Sequence, residues 1–310
     1  MSLKLTSAIS NLRENSLLNS FTTWKIGGPA RWLTEPTTRE LPDLIAQASQ
    51  QEIPVYFIGR GSNILVDDAG LPGLVILTRN SMTELRRKGN QIIAGSGVFL
   101  PHLSKFAARE GFSGFEFLIG IPGTVGGAVT MNAGLTVFRP REMVSIVENF
   151  DIVNPDGSIE TLTMDDVRAG YRKTNLLDGR RFVLQVRFRL EHKGEPEKIR
   201  RDTLSHLSER KRKQPLDKPT AGSTFKSPLG SKGAGWYIEQ AGLKGFKIGG
   251  ARVSPVHANW IENLGEATAA DVRKLIVHIQ SIVEVRCEIK LEPEVIFLSN
   301  NRSLHDTDFS

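Results

Sequence analysis

Two glycine-rich stretches are the first places in this sequence where residue type and spacing suggest chemistry. Gly59, Arg60, Gly61, Ser62 and Asn63 follow the apolar run Ile53, Val55, Phe57, Ile58. Glycine lets a chain turn without a Cβ clash and leaves successive N–H groups open to an anion such as a phosphate. The stretch departs from the dinucleotide fingerprint G-x-G-x-x-G, since Ile64 stands where the third glycine belongs, and it lacks the Gly-Lys-Ser/Thr ending of a P-loop. Read alone, it is either a phosphate cradle or a tight turn. The second stretch runs Gly120, Ile121, Pro122, Gly123, Thr124, Val125, Gly126, Gly127, Ala128, and Asn132, Ala133, Gly134 extend its small-residue surface. Ordering so many small residues is entropically expensive, so close approach of backbone to a ligand explains the run better than an ordinary loop does.

Isolated polar residues supply the remaining candidates. Arg172, beside Tyr171, carries a permanent charge in a planar fork suited to a carboxylate; its bland alternative is a surface strand-end arginine. Gly222, Ser223, Thr224 reads by itself as a loop or helix cap, with Lys226 three residues on. Glu292 and Glu294 fall on one face of a strand and Val295 on the other, which fits either a carboxylate facing a cleft or a structural salt bridge.

The elements that must hold these residues are legible as periodicities. Leu41, Leu44, Ile45 and Ala48 recur at helical spacing before the run at 53–58, a βαβ-like start. Val144 to Val153 and Ser158 to Leu162 read as a hairpin around Asn154, Pro155, Asp156, Gly157, and Phe182 to Leu190 alternates at period two. The segment from Glu191 to Pro219 is charged and helix-compatible, which places the best boundary near residue 200. Val272, Leu275, Ile276, Ile279, Ile282 and Val283 share one helix face, and Cys287 to Phe297 reads as a strand.

Composition narrows the class. A chain of 310 residues favours two or three domains, and 39% hydrophobic with 24% charged residues is ordinary for a globular protein. No run of about 18 apolar residues is present, so no membrane association is expected. Met1 to Ser20 lacks a secretory pattern and the single cysteine, Cys287, cannot close an intrachain disulfide, so a cytoplasmic place is expected. Forty basic against 34 acidic residues leave a net charge of +6, compatible with anionic partners such as nucleotides. His102, His192, His206, His257, His278 and Cys287 show no ligand spacing, so no metal is expected. Three tyrosines and no RNA-binding signature argue against nucleic acid.

The two glycine stretches, together with Thr23, Trp24, Lys25, Ile26, Gly27, Gly28, Pro29, Ala30, resemble the FAD-binding half of the UDP-N-acetylenolpyruvoylglucosamine reductase family. Further motifs follow in the family's order: Gly170, Tyr171, Arg172; then Gly222, Ser223, Thr224, Phe225, Lys226; then Ser254, Pro255, Val256, His257, Ala258, Asn259; then Leu291, Glu292, Pro293, Glu294, Val295. The likeness spans about Asn15 to Leu298, and seven short motifs in sequence are far more specific than one glycine loop. Only a short loop separates Arg172 from the strand at Phe182, which resembles the branch lacking an insertion there. Leu135, Thr136 and Trp260 depart from the family's usual residues, and contacts of Leu135 and Thr136 with the flavin stay open.

The resemblance implies a mixed α/β fold with a two-lobed FAD-binding region of the vanillyl-alcohol-oxidase type and a C-terminal α+β substrate domain, with boundaries at 15–80, 81–200 and 201–300. It implies noncovalent FAD, NADPH as hydride donor, and reduction of the enolpyruvyl ether of UDP-N-acetylglucosamine to UDP-N-acetylmuramate, for a monomer working in peptidoglycan precursor synthesis. Gly59 to Asn63, Gly120 to Thr124, Gly126 to Ala128 and Asn132 to Gly134 would hold the cofactor. Arg172 would stabilise the enolate-like carboxyl, Ser223 would donate the proton with Lys226 able to stabilise its alkoxide, and Glu294 would polarise the intermediate or relay the proton. Tyr171, Lys226, His257 and Asn259 would contact substrate, although a satisfied loop asparagine and a surface histidine are the alternatives for the last two. Arg210, Lys211, Arg212 and Lys213 read first as a solvated helix end, then as a diphosphate or NADPH attractor. Two rivals remain: a flavin oxidase of the same fold acting on another alcohol or sugar, and a nucleotide-binding protein without activity.

Overall fold

The computed structural model describes residues 11–135, 141–190, 192–215 and 217–300. Its helices follow from local sequence. Helix α1 (Leu41–Gln50) and helix α2 (Leu100–Arg109) each carry a proline in the first turn, where the missing N–H has no helical partner to lose. They bury Leu41, Leu44, Ile45, Ala48, the stripe read from the sequence, and Leu100, Leu103, Ala107, Ala108, a stripe the sequence reading did not single out. Helix α3 (Val125–Met131) stops at Asn132, which takes the left-handed conformation (φ 45). Helices α4 (Pro196–Lys213) and α5 (Ala234–Gln240) follow, and α6 (Ala269–Cys287) opens on a capping box between Thr268 and Asp271. The carboxylate of Asp68 accepts the N–H groups of Ala269 (2.8 Å) and Ala270 (3.0 Å), satisfying two further donors of that first turn.

The chain divides into two compact units interleaved along the sequence. One comprises the chain up to Glu14 with Trp32–Arg60 and Gly73–Arg210; the other comprises Asn15–Arg31, Gly61–Pro72 and the chain from Lys211 onward. A four-stranded sheet has the order Arg13–Leu17, Pro29–Thr34, Leu71–Leu77, Val55–Ile58. Its last pair is parallel, with Val55 opposite Leu74.

Within the first unit a five-stranded antiparallel sheet takes the order Ile159–Leu162, Val147–Val153, Phe182–Arg189, Gln91–Gly95, Leu85–Lys88. The hairpin read from the sequence is its first pair, with Gly157 at φ 83 closing the turn. Its core gathers Ile92, Leu103, Val129, Phe150, Val186 and Phe188, while α1 packs on a separate core with Trp32, Leu74, Ile76 and Phe182.

The second unit is built on α5 and α6. Ile238, Leu275, Ile276 and Ile279 pack with Trp24, Leu65 and Phe225. Trp24 is fully buried and donates its indole N–H to the carbonyl of Ile261 (2.8 Å), so the early motif around it is part of this core. Three antiparallel strands, Lys247–Ile248, Ala251–Val253 and Ile261–Asn263, and a parallel pair, Ile64–Val66 with Ile296–Leu298, complete the unit.

Two expectations change. The strand expected over Cys287 to Phe297 is only Ile296–Leu298, because α6 runs on to Cys287 before Glu288 turns left-handed (φ 56). Residue 200, where a boundary was placed, lies inside α4, and the two units divide at Arg210 and Lys211 near that helix's end.

Candidate functional site

In the first unit the two glycine stretches touch. A Cβ on Gly59 would stand 2.3 Å from Thr124 Oγ1, so the chain leaving the strand Val55–Ile58 lies directly against the second stretch. That stretch is tied to the segment before α2: Leu100 N–H donates to the Gly123 carbonyl (3.1 Å), Val125 N–H to Val98 (2.9 Å) and Gly126 N–H to Ser96 (2.8 Å). Glycine is required at 126 because a Cβ would meet Ser96 Cβ at 2.8 Å, and at 120 the Arg210 side chain fills the space a Cβ would take, its Cδ 2.3 Å away. The close approach expected of a ligand is made at these two positions by protein atoms. Gly127 differs: it is exposed, and the nearest atom to a Cβ there is Thr124 Oγ1 at 3.7 Å. Among the described residues, the N–H groups of Gly123, Thr124 and Gly127 donate to no protein acceptor. Arg60 lays its guanidinium over the Phe99 ring at 4.4 Å, a stacking partner the sequence reading did not single out. Burial, and then neighbouring Arg60, hold the Arg79 guanidinium below its ordinary value. The basic run at 210–213 is not uniform: burial pushes Arg210 down to about 10, whereas Lys211 and Arg212 are exposed.

Arg172 sits in a four-residue turn in which Gly170 and Lys173 exchange both backbone hydrogen bonds (2.9 and 3.2 Å). Its backbone is left-handed at φ 52, a position that turn geometry gives to glycine or asparagine. The guanidinium is 9% exposed; Nη2 donates to the Gly134 carbonyl (2.6 Å) and Nη1 to Glu142 Oε1 (3.2 Å), with the Tyr171 ring 5.0 Å from its centre. Gly134 must be glycine because a Cβ would lie 2.2 Å from the Arg141 carbonyl on the opposing strand Arg141–Glu142. Asn132 donates its amide N–H to Glu142 Oε2 and to the Gly170 carbonyl, both at 2.9 Å, and accepts the Val144 N–H (3.0 Å). Ala133 and Leu135 pack against the core of this unit, and Thr136 lies outside the described residues. Glu142 was invisible to sequence reasoning, since nothing in Arg141-Glu142 marks one carboxylate among many.

In the second unit a short backbone ladder collects the other candidates. Ser223 bridges Trp260 on one side, and Phe225 bridges Pro293 on the other. Thr224 N–H donates to the Asn259 carbonyl, Glu294 N–H to the Thr224 carbonyl and Lys226 N–H to the Glu292 carbonyl, each at 2.8 Å. Asn63 joins the same ladder, donating its amide to the Glu294 carbonyl (3.0 Å) while accepting the Ile296 N–H (3.0 Å). Ser223 is half-buried and its hydroxyl bonds to no described group. Lys226 ion-pairs with Glu292 and makes no hydrogen bond to Ser223 among the described residues, so the partner expected to stabilise a serine alkoxide is engaged elsewhere. Asn259, 5% exposed, closes both ends of its amide on the Phe225 peptide, Nδ2 to the carbonyl (2.8 Å) and Oδ1 from the N–H (2.9 Å). The satisfied alternative is therefore the geometry of Asn259: it clamps the extended segment that carries Ser223. His257 accepts the Asn259 N–H on Nδ1 (3.3 Å) and packs where a Cβ on Gly235 would come within 3.1 Å of its Cε1. Gly61 is left-handed (φ 62) against Phe21 and Thr22, and the N–H groups of Gly61, Ser62 and Asn63 donate to no described acceptor.

Residues 31–163 match the family model described as an FAD binding domain, and residues 214–298 match that of the UDP-N-acetylenolpyruvoylglucosamine reductase C-terminal domain. The chain is 42% identical to the UDP-N-acetylenolpyruvoylglucosamine reductase of Synechococcus sp. (strain WH7803) over 92% of each chain, and 42% identical to that of Prochlorococcus marinus (strain MIT 9313) over 90% of each. It is similar in structure to the UDP-N-acetylenolpyruvylglucosamine reductase of Thermus caldophilus, with a TM-score of 0.78 and 37% identity over 93% of this chain and 98% of that one. The chain belongs to the UDP-N-acetylenolpyruvoylglucosamine reductase family. Each of the two sets of open N–H groups, at 61–63 in the second unit and at 123, 124 and 127 in the first, offers by itself the kind of donor that a phosphate of FAD accepts. The residues present fit that group. Among the described residues no three His, Cys, Asp or Glu side chains group as a metal site, and no helix is long and apolar enough to cross a membrane.

Proposed function

We propose that Arg172, Ser223 and Glu294 are the residues with which this chain reduces the enolpyruvyl ether of UDP-N-acetylglucosamine to UDP-N-acetylmuramate, a step in peptidoglycan precursor synthesis. The chain is an FAD-dependent oxidoreductase whose hydride comes from NADPH. FAD, when bound, would supply the chemistry of passing a hydride from NADPH to the substrate's vinyl group. A vinyl ether accepts a hydride only because its carboxylate takes up the displaced π electrons as an enolate-like group, which must be stabilised until the neighbouring carbon is protonated. Arg172 provides the stabilising cation: permanently charged, shielded from water and held by two anchors, it presents a fixed positive charge to that carboxylate. Ser223 gives its Oγ proton to the carbon bearing the carboxylate, and Glu294, one rung away on the ladder, polarises the intermediate or returns a proton to the serine oxygen. Tyr171, Lys226 and His257 are proposed to contact the substrate. The chain is proposed to act as a monomer in the cytoplasm.

The observation that carries this reading is the Ser223 hydroxyl, half-buried and without a partner among the described residues, on a backbone that bridges Trp260 and continues into Thr224, which is bonded on both sides. Stopped-flow absorbance separates the two half-reactions. Ser223→Ala should leave flavin bleaching by NADPH nearly intact, since no substrate carbon is protonated in that step. Reoxidation by the enolpyruvyl substrate should slow by about 100-fold or more, about 2.7 kcal/mol of barrier. Equal slowing of both phases would assign Ser223 to general flavin-site integrity; undiminished reoxidation would transfer the acid role to Glu294 or a bound water.

A further inference from the structure

Arg172 departs from the economy of an ordinary surface arginine in three ways. Its backbone is left-handed, which costs a non-glycine residue about 1 kcal/mol or more, in a turn that any glycine would close without strain. Its side chain is almost wholly removed from water, and the long, flexible stem is immobilised by two anchors. One anchor, the Gly134 carbonyl, is fixed by the pairing of Gly134 with Glu142 across the strands Gly134–Leu135 and Arg141–Glu142. The other is the Glu142 carboxylate. Glu142 is itself oriented, because Asn132 donates to its second oxygen, and Asn132 is locked by the Val144 N–H and by the Gly170 carbonyl at the start of the Arg172 turn. The circuit Arg172, Glu142, Asn132, Gly170 closes on itself within one unit of the chain.

We infer that Glu142 is a positioning residue for the reaction: its carboxylate, aligned by Asn132, fixes the Arg172 guanidinium before substrate arrives. The inference rests on the reading of Arg172 given above. A carboxylate is the required partner, because only an anion with two acceptor oxygens can take a guanidinium N–H on one and an amide N–H on the other and hold both donors. A free arginine would have to be ordered on each binding event; one already aimed forgoes that entropy loss. Glu142 does not touch the reacting atoms in this scheme. It acts on the angle at which Arg172 meets the substrate carboxylate, and on the protonation step only through that angle.

The test compares Glu142→Gln, Glu142→Ala and Glu142→Asp with Arg172→Lys in the FAD-loaded protein. Binding of UDP-N-acetylmuramate, which carries the carboxylate, is read by titration calorimetry, and the two half-reactions by stopped flow. Glu142→Gln is expected to weaken product binding and slow reoxidation by about 10-fold, and Glu142→Ala by about 100-fold, the scale of a misaligned group. Glu142→Asp restores part of both, and flavin bleaching by NADPH is unchanged throughout. Combining Glu142→Gln with Arg172→Lys should slow reoxidation no further than Arg172→Lys alone, because the positioning acts through the residue already altered. If Arg172→Lys itself leaves reoxidation and product binding unchanged, the reading of Arg172 fails and this inference with it. If Arg172→Lys slows reoxidation while the Glu142 variants do not, the reading stands and the inference about Glu142 is overturned. Equal slowing of both half-reactions in the Glu142 variants also overturns it, by marking a general loss of structure, and the Gln and Asp variants decide the question should the Ala variant not fold.

Discussion

In the first unit Arg172 is held through its side chain, by Gly134 and Glu142, on a backbone that is itself strained. In the second unit Ser223 is held through its backbone, between Trp260 and the ladder to Glu294, and its hydroxyl is left without a described partner. The two arrangements suit two tasks. A cation that must meet a developing anion gains from being aimed and dehydrated in advance, since reorganisation at the moment of reaction is then avoided. A hydroxyl that must release a proton loses from a strong acceptor of its own, so here precision comes from the main chain and the side chain stays available. The same contrast separates the glycines. Gly120, Gly126 and Gly134 make room for protein atoms of the first unit, whereas a Cβ on exposed Gly127 would meet Thr124 Oγ1 only at an ordinary contact distance of 3.7 Å.

That division of the glycines is the easiest part of the comparison to break. Gly126→Val should destabilise the protein by about 3 kcal/mol, because its Cβ would meet Ser96 within a packed core. Gly127→Val should leave the melting temperature of the apoprotein unchanged while lowering FAD occupancy, read from the ratio of flavin to protein absorbance. A reversed pattern, with Gly127→Val the unstable variant, would show that both positions are packing sites.

The backbone ladder of the second unit can be loosened through Asn259. Asn259→Ala leaves the Phe225 N–H and carbonyl buried without the amide that satisfies them, and should lower unfolding stability by about 2 kcal/mol in denaturant titration. Reoxidation should slow with it, since Ser223 rides on the same segment, while product affinity falls less than in the Glu142 variants. An Asn259→Ala protein of full stability but poor product affinity would instead return Asn259 to the role of a substrate contact.

The smallest expected effect sharpens the comparison from the scaffold side. Asp151 faces Arg187 in the antiparallel sheet of the first unit, with oxygens 2.7 and 2.9 Å from the guanidinium. Desolvation raises the Asp151 carboxyl, but hydrogen bonds from Arg187 and Thr161 outweigh it and leave the group below its ordinary value. A folded-state value below the unfolded one means the pair contributes above the unfolded carboxyl value of about 3.9 and fades as pH falls through the folded one. Asp151→Asn should therefore cost about 1 kcal/mol at neutral pH, with the difference shrinking as pH falls below about 4 and through the lowered folded-state value. Thermal melts across that range decide it; a difference independent of pH would mean that packing, rather than charge, is what the aspartate supplies.

Much of the fold was legible because periodicity is a local property. The stripes of α1 and α6 and the hairpin around Gly157 were all readable from spacing alone. The end of α6 was not, since Val285, Arg286 and Cys287 suit a helix as well as a strand and the choice depends on what lies beside them. Of the candidate site, Arg172, Ser223 and Glu294 were named from motif order. Their surroundings were not foreseen. Asn63 and Asn132 were assigned to the cofactor, yet the side-chain amides of both are engaged by protein groups, the Glu294 carbonyl and the Glu142 carboxylate respectively.

What the sequence by itself determined is the kind of chemistry and its cast: glycine runs that read as close approach or as tight turns, a permanent cation, a loop serine, a carboxylate near the C-terminal motif, in an order specific to one family. Residue type sets hydrogen-bonding capacity and charge, and these survive any fold. What only the tertiary structure decided is which neighbour each capacity meets. Glycine at 126 answers to Ser96, 30 residues earlier by number; Arg172 answers to Glu142; Lys226 answers to Glu292 rather than to Ser223. Such pairings arise when distant segments condense into a shared core, and the free energy that selects them is spread over the packing of the whole unit, so no single stretch of sequence carries it.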